Sequence, residues 1–569
     1  MSPFIPPSRV RHGDRMVARS VLCLLLAVFT ATFTGLPDHT DSETEFQTTS
    51  ALGRTGSLAL GGTPEAEALV LNHAQAPLRE GADGRYYSWF GVGQALLAVP
   101  LYWTGRLLGE LFPAVEERHA ATRWYGVERS EYFPHLLVGW RNALLTALTG
   151  WLVVRVARRL LVSRRWAWVA GLSYGLCTFA WPQARSTLSD VQATFFLFYA
   201  FALCLRLREA FDRMRLPSRR DLFGLGACLS LAFLTRVLTA PAIAALLALA
   251  LWTAVEGARR LAREEPVPLR DLLKRSLWAV VPGLAGLAVF LGSNAIRFGD
   301  PFESGYGSAV FSGTFFAYPL HWGLAGLLLA PGKGLLWLAP AVVLVPLGLS
   351  RAWKQGSRPV VCTLLGVALA VFLPPALTLT WHGAWTYGPR YVLPALPFLW
   401  VVVALAMERV DRSWPGRVAA GALLAAGLVT NLPGVLVDHM THQELALQAA
   451  REVWQEGLEE YPDPRQRDDA LFQNIQWDWR FAAPWAHWRI LRHRVAGLGE
   501  EFSAREIFLV ESDAVLRPIH DREHGFLHLA WVDLERRLGG AIWPGILLVA
   551  VLLVLGAVQT ARGLDPTAD

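Results

Sequence analysis

Four carboxylates, Asp38, Asp41, Glu43 and Glu45, follow directly on the first apolar stretch of a 569-residue chain. Five cations, Arg185, Arg236, Arg297, Lys333 and Arg390, stand singly at the ends of later apolar stretches. Isolated charges at such depth are costly unless they are paired or serve a ligand. A carboxylate can take the proton of an attacking hydroxyl, while Arg or Lys holds the negative charge growing on a phosphate leaving group. Lys333, in Pro331-Gly332-Lys333-Gly334, has glycine neighbours that let an anion reach backbone and ammonium together. Snorkelling to lipid headgroups accounts for any one of these cations alone. Five of them on the side that carries the acidic cluster favour a site.

The elements that must position these residues are membrane helices. With 53% hydrophobic and 18% charged residues, the chain reads as an all-α polytopic membrane protein rather than a string of soluble domains. Apolar runs of spanning length fall at about 16–36, 136–154, 166–182, 190–205, 221–235, 237–255, 276–294, 334–350, 359–380, 391–407, 418–437 and 541–561, about twelve helices. Arginines orient them, since basic residues gather in short cytoplasmic loops. Arg9, Arg11, Arg15 and Arg19 precede the first span, Arg155 to Arg165 follow the second, and Arg206 to Arg220 the fourth. Arg259 to Arg275, Arg351 to Arg358 and Arg409 to Arg417 keep the alternation. Both termini are therefore expected in the cytoplasm and the acidic cluster outside. The net charge of +6 is mostly this inside bias, which gives no reason to expect nucleic acid as a partner.

Two outer segments are long, 37–133 and 438–539, and they divide the chain into a transmembrane module (1–437), an extracytoplasmic segment (438–539) and a last helix with its tail (540–569). Within the first loop, Trp89 to Phe112 is apolar enough to span, but counting it would invert every later loop, so an interfacial or re-entrant helix is expected. The first span reads as a retained anchor, because no small-x-small cleavage site precedes Pro37. The C-terminal segment, with turns at Pro462 and Pro464 and the run Trp477-Asp478-Trp479, is expected to be a small α or α+β unit. Cys23, Cys177, Cys204, Cys228 and Cys362 all fall in spans, so no disulfide framework is expected. The sequence shows no internal repeat, phosphate-binding glycine loop or zinc-ligand spacing.

Six ordered segments carry a family resemblance: 41–60, 84–102, 294–307, 327–340, 381–397 and 430–439. They include DSETEFQTTSALGRTGSLAL, GRYYSWFGVGQALLAVPLY, NAIRFGDPFESGYG and WHGAWTYGPRYVLPALP. In order and spacing the chain resembles the GT-C membrane glycosyltransferases that use polyprenyl-phosphate sugars, near the protein mannosyltransferase, aminoarabinose transferase and RgtA-like branch. The resemblance implies inverting transfer of a sugar from a polyprenyl phosphate to an acceptor hydroxyl at the extracytoplasmic face of a bacterial inner membrane. By position, Asp41 matches the catalytic base, and Glu43 its neighbour or substitute. Lys333 and Arg390 match positions that face the lipid phosphate or the donor sugar, with Arg236 and Arg85 as further candidates for binding the donor phosphate. Asp190, Tyr306 and His382 are expected at sugar or acceptor, with Glu303, Trp381 and the Trp477–Trp479 run as weaker contacts. Trp89 departs from the family, standing where relatives often carry a lysine, and a sugar-stacking role is its functional reading. Asp38 and Glu45 read as ordinary solvated charges.

No cofactor is expected. The alternating carboxylates Asp41 and Glu43 have a form that oxygen-loving cations accept, but the resemblance implies catalysis without a metal. The expected partners are a polyprenyl-phosphate-linked sugar, a glycan, lipid or protein acceptor, and membrane lipids. A transporter or flippase for lipid-linked sugars, or a non-catalytic binder of them, is the alternative. Transporters favour internal repeats and charges near the bilayer middle, and here the unusual charges sit at outer ends.

Overall fold

A computed structural model of the chain describes residues 12–35, 40–74, 76–124, 126–264, 269–307, 316–356, 358–454, 464–499, 501–518, 529–536 and 538–565. Asp38, Arg9 and Arg11 lie outside the described residues, as do Pro462 and 455–461 of the C-terminal segment. Helix α1 (His12–Ala31) leads into a first loop built from α2 (Thr40–Thr55), α3 (Pro64–Leu71), the antiparallel pair β1 (Leu78–Glu80) and β2 (Tyr86–Ser88), α4 (Gly93–Leu111), α5 (Pro113–Ala120), and the pair β3 (Arg123–Trp124) and β4 (Val127–Glu128). The helix bundle follows as α6 (Tyr132–Arg159), α7 (Arg164–Leu176), α8 (Ala180–Gln183), α9 (Ser189–Asp212), α10 (Arg219–Thr235), α11 (Ala240–Glu264) and α12 (Leu269–Phe298). It continues with α13 (Leu320–Leu329), α14 (Leu335–Leu338), α15 (Val345–Lys354), α16 (Arg358–Ala376), α17 (Leu396–Val410) and α18 (Trp414–Leu436). The C-terminal segment holds α19 (His439–Val453), α20 (Pro464–Trp477), α21 (Ala483–Val495), β5 (Phe502–Ser503), α22 (Ala504–Phe508), β6 (Val515–Leu516) and α23 (Ala530–Arg536), before α24 (Trp543–Leu564).

The chain is a mostly helical integral membrane protein: eight helices among the described residues are long and apolar enough to cross a bilayer. They are α6, α9, α11, α12, α16, the 390–410 segment, α18 and α24, and each falls on an expected span. The other four expected spans coincide with helices of different build. Helix α1 carries charged residues in its first turns, α7 has 13 residues and α10 has 17. The 334–350 run is broken into α14, a 3-10 turn (Pro340–Leu344) and α15, because Pro340 and Pro346 lack the N–H groups a continuous helix needs.

Burial sorts these helices. In α9 and in 390–410, 83% of the apolar window is sealed by other protein, against 22% in α12 and 6% in α24, which leaves the last two for lipid. Helices α1, α6, α7, α9 and α17 share the main core with Phe29, Phe198, Phe201, Phe398 and Trp400. Trp400 Nε1 donates to Ser173 Oγ at 3.0 Å, which satisfies a polar group that burial would otherwise penalise. Helix α24 lies along α1, and Gly556 and Gly563 allow the approach: a Cβ on either would stand within 2.8 Å of Leu24 or Val17.

The expected interfacial segment is helix α4. Ala95, Ala98, Tyr102 and Gly105 face inward, while Trp103, Leu107 and Leu111 stand more than half exposed on the other edge, an amphipathic division at helical spacing. The C-terminal segment has its own apolar core of Leu445, Ala449, Ile475, Phe481, Ile490 and Phe508. Asp438 caps α19 by accepting from the backbone N–H of Thr441 at 3.0 Å. Helix α23 returns to the start of the chain, with Ala530 N donating to Phe33 O at 2.7 Å.

Candidate active site

Four separate segments deliver their charged residues to one cavity of about 360 Å³. Asp41 and Glu45 lie four residues apart on α2, so one helical turn places both on the same face. Asp190 sits in the first turn of α9, where unsatisfied backbone N–H groups favour a carboxylate. Arg236 leaves the end of α10 in an extended conformation (φ −154°, ψ 106°), which turns its side chain out of the helix and toward Asp190. Arg390 opens the 3-10 turn Arg390–Ala395, behind Gly388 at φ +77°, a left-handed conformation that suits glycine.

The charges are paired across elements. Arg236 Nη1 lies 2.8 Å from Asp190 Oδ1, and Arg390 Nη2 donates to Asp41 Oδ2 at 3.0 Å. Between them stands Tyr391, with the Arg236 and Arg390 guanidinium carbons 4.9 and 5.0 Å from its ring centre. One aromatic ring and two carboxylates thus hold two cations together that would otherwise repel. Arg390 Nε is buried and, among the described residues, has no hydrogen-bond acceptor; Glu45 Oε2 is likewise unpartnered. Burial pushes the Glu45 carboxyl up to about 8, with Arg141 opposing and the Asp190 and Asp41 charges adding to the rise. Glu45, expected as a solvated charge, is instead 3% exposed in the cavity wall and largely protonated at neutral pH.

The remaining wall is apolar and aromatic. Trp89 and Tyr306 line it and stack with ring centres 6.0 Å apart and planes 21° apart. Arg297 positions the loop that carries Trp89, donating to Ser88 O at 2.7 Å and Phe90 O at 3.0 Å. Gly91 lets that loop close on the end of α10, since a Cβ there would stand 2.2 Å from Leu234 O. Glu303 shapes the Tyr306 turn by accepting from Gly305 N at 2.9 Å and pairing with Arg79 at 2.9 Å. Leu238 lines the cavity while 43% exposed, so the apolar wall continues onto the outer face of the bundle.

Several expected site residues lie elsewhere. Glu43 turns away from the cavity and is buried beside His135, 3.3 Å from its Nε2, and accepts from Gln47 at 2.6 Å. Burial opposes the Glu43 charge, yet His135 and Gln47 hold its carboxyl below the usual range. Lys333 is fully buried, and its ammonium donates to Ala384 O at 2.9 Å and to Thr386 O; it braces the loop before Arg390 instead of facing the cavity. Arg85 is exposed and pairs with Asp83 at 2.7 Å in the β1–β2 turn. His382 is buried against Phe472 and accepts from Ala384 N at 3.1 Å. Burial, then Lys333 and Arg390, hold its imidazole well below the usual range. Arg185 donates to Gly434 O at 3.3 Å; Trp381 is buried against Trp477, Asp478 pairs with Arg480 at 2.6 Å, and Trp479 is exposed.

Residues 95–269 match the family model for dolichyl-phosphate-mannose-protein mannosyltransferase. The chain resembles the GT-C glycosyltransferases. The matched residues include Asp190 and Arg236 and stop short of Asp41 and Arg390. Among solved structures the chain is similar to ArnT from Cupriavidus metallidurans in the apo state, with 14% identity over 95% of this chain and 74% of that one and a TM-score of 0.40. For the same protein bound to undecaprenyl phosphate the values are 13%, 97%, 78% and 0.37. No curated protein sequence matches the chain.

Proposed function

We propose that the chain is an inverting glycosyltransferase that moves a sugar from a polyprenyl phosphate to an acceptor hydroxyl at the extracytoplasmic face of a bacterial inner membrane, with both termini cytoplasmic. One observation carries the reading: Asp41, Asp190, Arg236 and Arg390 converge from four segments on a single cavity with an apolar wall. The mannosyltransferase-family match over 95–269 supports the donor class.

In the proposed reaction the acceptor oxygen attacks the anomeric carbon from the face opposite the phosphate. Asp41 takes the hydroxyl proton, the bond from anomeric carbon to phosphate oxygen breaks, and polyprenyl phosphate leaves with the bonding pair. Arg236 and the unpartnered Nε of Arg390 face the charge that grows on that phosphate. Each cation already has a carboxylate partner, so the donor must displace or share those pairs. The protonated Glu45 keeps a third negative charge out of the cavity while the phosphate is bound. Trp89 and Tyr306 offer ring faces to the sugar, a use of the departure from lysine at position 89. The scheme uses no metal: Asp41 is paired with Arg390, Asp190 with Arg236, and Glu45 is protonated.

The test is transfer by the purified protein in liposomes carrying a polyprenyl phosphate with a radiolabelled sugar, run with and without EDTA. Loss of label from the lipid, with free polyprenyl phosphate appearing in equal amount, is expected in both conditions. Label that crosses the bilayer still attached to lipid would identify a flippase, and label bound but never released a non-catalytic binder.

A further inference from the structure

Outside the cavity, three buried histidines meet where the outer segment joins the membrane bundle. His439 and His442 stand three residues apart on α19, and His487 comes from α21; one ring nitrogen of each lies within 4.8 Å of those of the other two. His439 Nδ1 and His487 Nε2 are 3.3 Å apart. Two nitrogens bound tetrahedrally to one zinc at the usual bond length of about 2.0–2.1 Å are themselves about 3.3–3.4 Å apart. The exposures are 9%, 1% and 0%, so the rings are largely shielded from bulk solvent.

The outer nitrogens set the tautomers. His442 Nε2 lies 2.9 Å from Phe481 O and His487 Nδ1 3.3 Å from Pro433 O, and a carbonyl can only accept, so both nitrogens carry the proton. That leaves a lone pair on His487 Nε2 and another on His442 Nδ1, which is buried and has no hydrogen-bond partner among the described residues. Without a cation, a proton on His439 Nδ1 bridges to His487 Nε2. Gln443, 3.2 Å from His439 Nε2, has its side-chain oxygen unpartnered. Turning that amide lets the oxygen accept from His439 Nε2–H, and all three inner nitrogens then present lone pairs to a common point.

We propose that His439, His442 and His487 form a binding site for a zinc-class divalent transition metal, with a fourth position left for water. Imidazole ligands in this number select zinc, cobalt or nickel over calcium and magnesium. A cavity of about 30 Å³, bordered by His439, Asp438 and Tyr387, adjoins the cluster and has room for such a water. Burial, the first cause for all three, pushes these imidazoles below the usual range, His487 to about 4, so the neutral form that binds metal prevails at neutral pH. The metal would fasten α19 to α21 beside the end of α18 and against Tyr387, in the loop that leads to Arg390.

The experiment uses the full chain with its affinity tag removed, stripped with EDTA, loaded with zinc chloride and desalted. About one zinc per chain is expected by elemental analysis, together with a rise in Tm. Cobalt loading should give the visible d–d bands of a four-coordinate site. Asp41→Asn should retain the zinc and His442→Ala should lose it. Zinc no higher than the buffer blank in the wild-type chain, or full zinc in His442→Ala, overturns the proposal. If His442→Ala does not fold, the wild-type zinc content and cobalt spectrum decide alone.

Discussion

Replacing Glu45 by Gln tests how charge is managed in the cavity. The glutamine copies the shape of the protonated carboxyl and cannot ionise. With its pKa at about 8, Glu45 is about 10% ionised at pH 7 and about 90% at pH 9. A cavity of 360 Å³ treated as a sphere has a radius of about 4.4 Å, which puts a wall carboxylate about 6 Å from a phosphate at its centre. At an effective dielectric constant of about 20, two like unit charges at that separation repel by about 2.8 kcal/mol, roughly a hundredfold in affinity. The KM for the lipid-linked donor should therefore climb between pH 7 and pH 9 in the wild type and stay flat in Glu45→Gln. Stability gives a second readout. The Glu45 pKa rises from 4.5 unfolded to about 8 folded, so folding takes up a proton between those values and stability falls as pH rises across that window. Glu45→Gln lacks that slope and should have the higher Tm at pH 8. An identical rise of KM in variant and wild type would refute the assignment of the alkaline limb to Glu45.

Three further substitutions probe the surrounding structure. Arg236→Lys keeps the charge but loses the planar fork and its place over Tyr391, 4.9 Å away; kcat/KM should fall by about 1–2 kcal/mol, five- to thirtyfold, read from donor titrations. Gly91→Ala drives a Cβ to 2.2 Å from Leu234 O and pushes the Trp89 loop off α10, so a loss of about 1–3 kcal/mol in stability is expected together with a raised donor KM. His135→Ala strands the buried Glu43 carboxylate and should cost about 3–5 kcal/mol at pH 7, read from denaturation midpoints. Because the folded Glu43 pKa lies below 4.5, the stabilisation it shares with His135 is present above pH 4.5 and lost as pH falls through the folded value. The difference between His135→Ala and the wild type should narrow in acid.

Much of the fold was legible because membrane helices announce themselves by length and composition. Eight of the expected spans fall on single helices long and apolar enough to cross a bilayer, while α7 and the broken 334–354 stretch show how Pro and polar residues divide an apolar run. The convergence of Asp41, Asp190, Arg236 and Arg390 was less legible, since neighbourhood across α2, α9, α10 and the 390 turn is set by packing that no local pattern encodes. The charge rule singled out cations expected on the outer side without separating those that face a cavity from those that brace backbone. Lys333 donates to carbonyls of the loop before Arg390, and Arg297 donates to carbonyls of the Trp89 loop as well as to Asn294 on its own helix. Glu45 was missed although its four-residue spacing from Asp41 puts the two on one helix face. The histidine cluster had no spacing signature, because His487 lies 45 residues beyond His442 and reaches it only through the fold of the C-terminal segment.

The most direct measurement of the central claim is the rate at which purified Asp41→Asn releases polyprenyl phosphate from a labelled lipid-linked sugar, set beside the wild type at saturating donor and acceptor. Removing a general base costs about 10²- to 10⁴-fold. The account predicts a fall in kcat of that size with donor binding retained, because Arg236 and Arg390 remain in place. Full transfer activity in Asp41→Asn would contradict it.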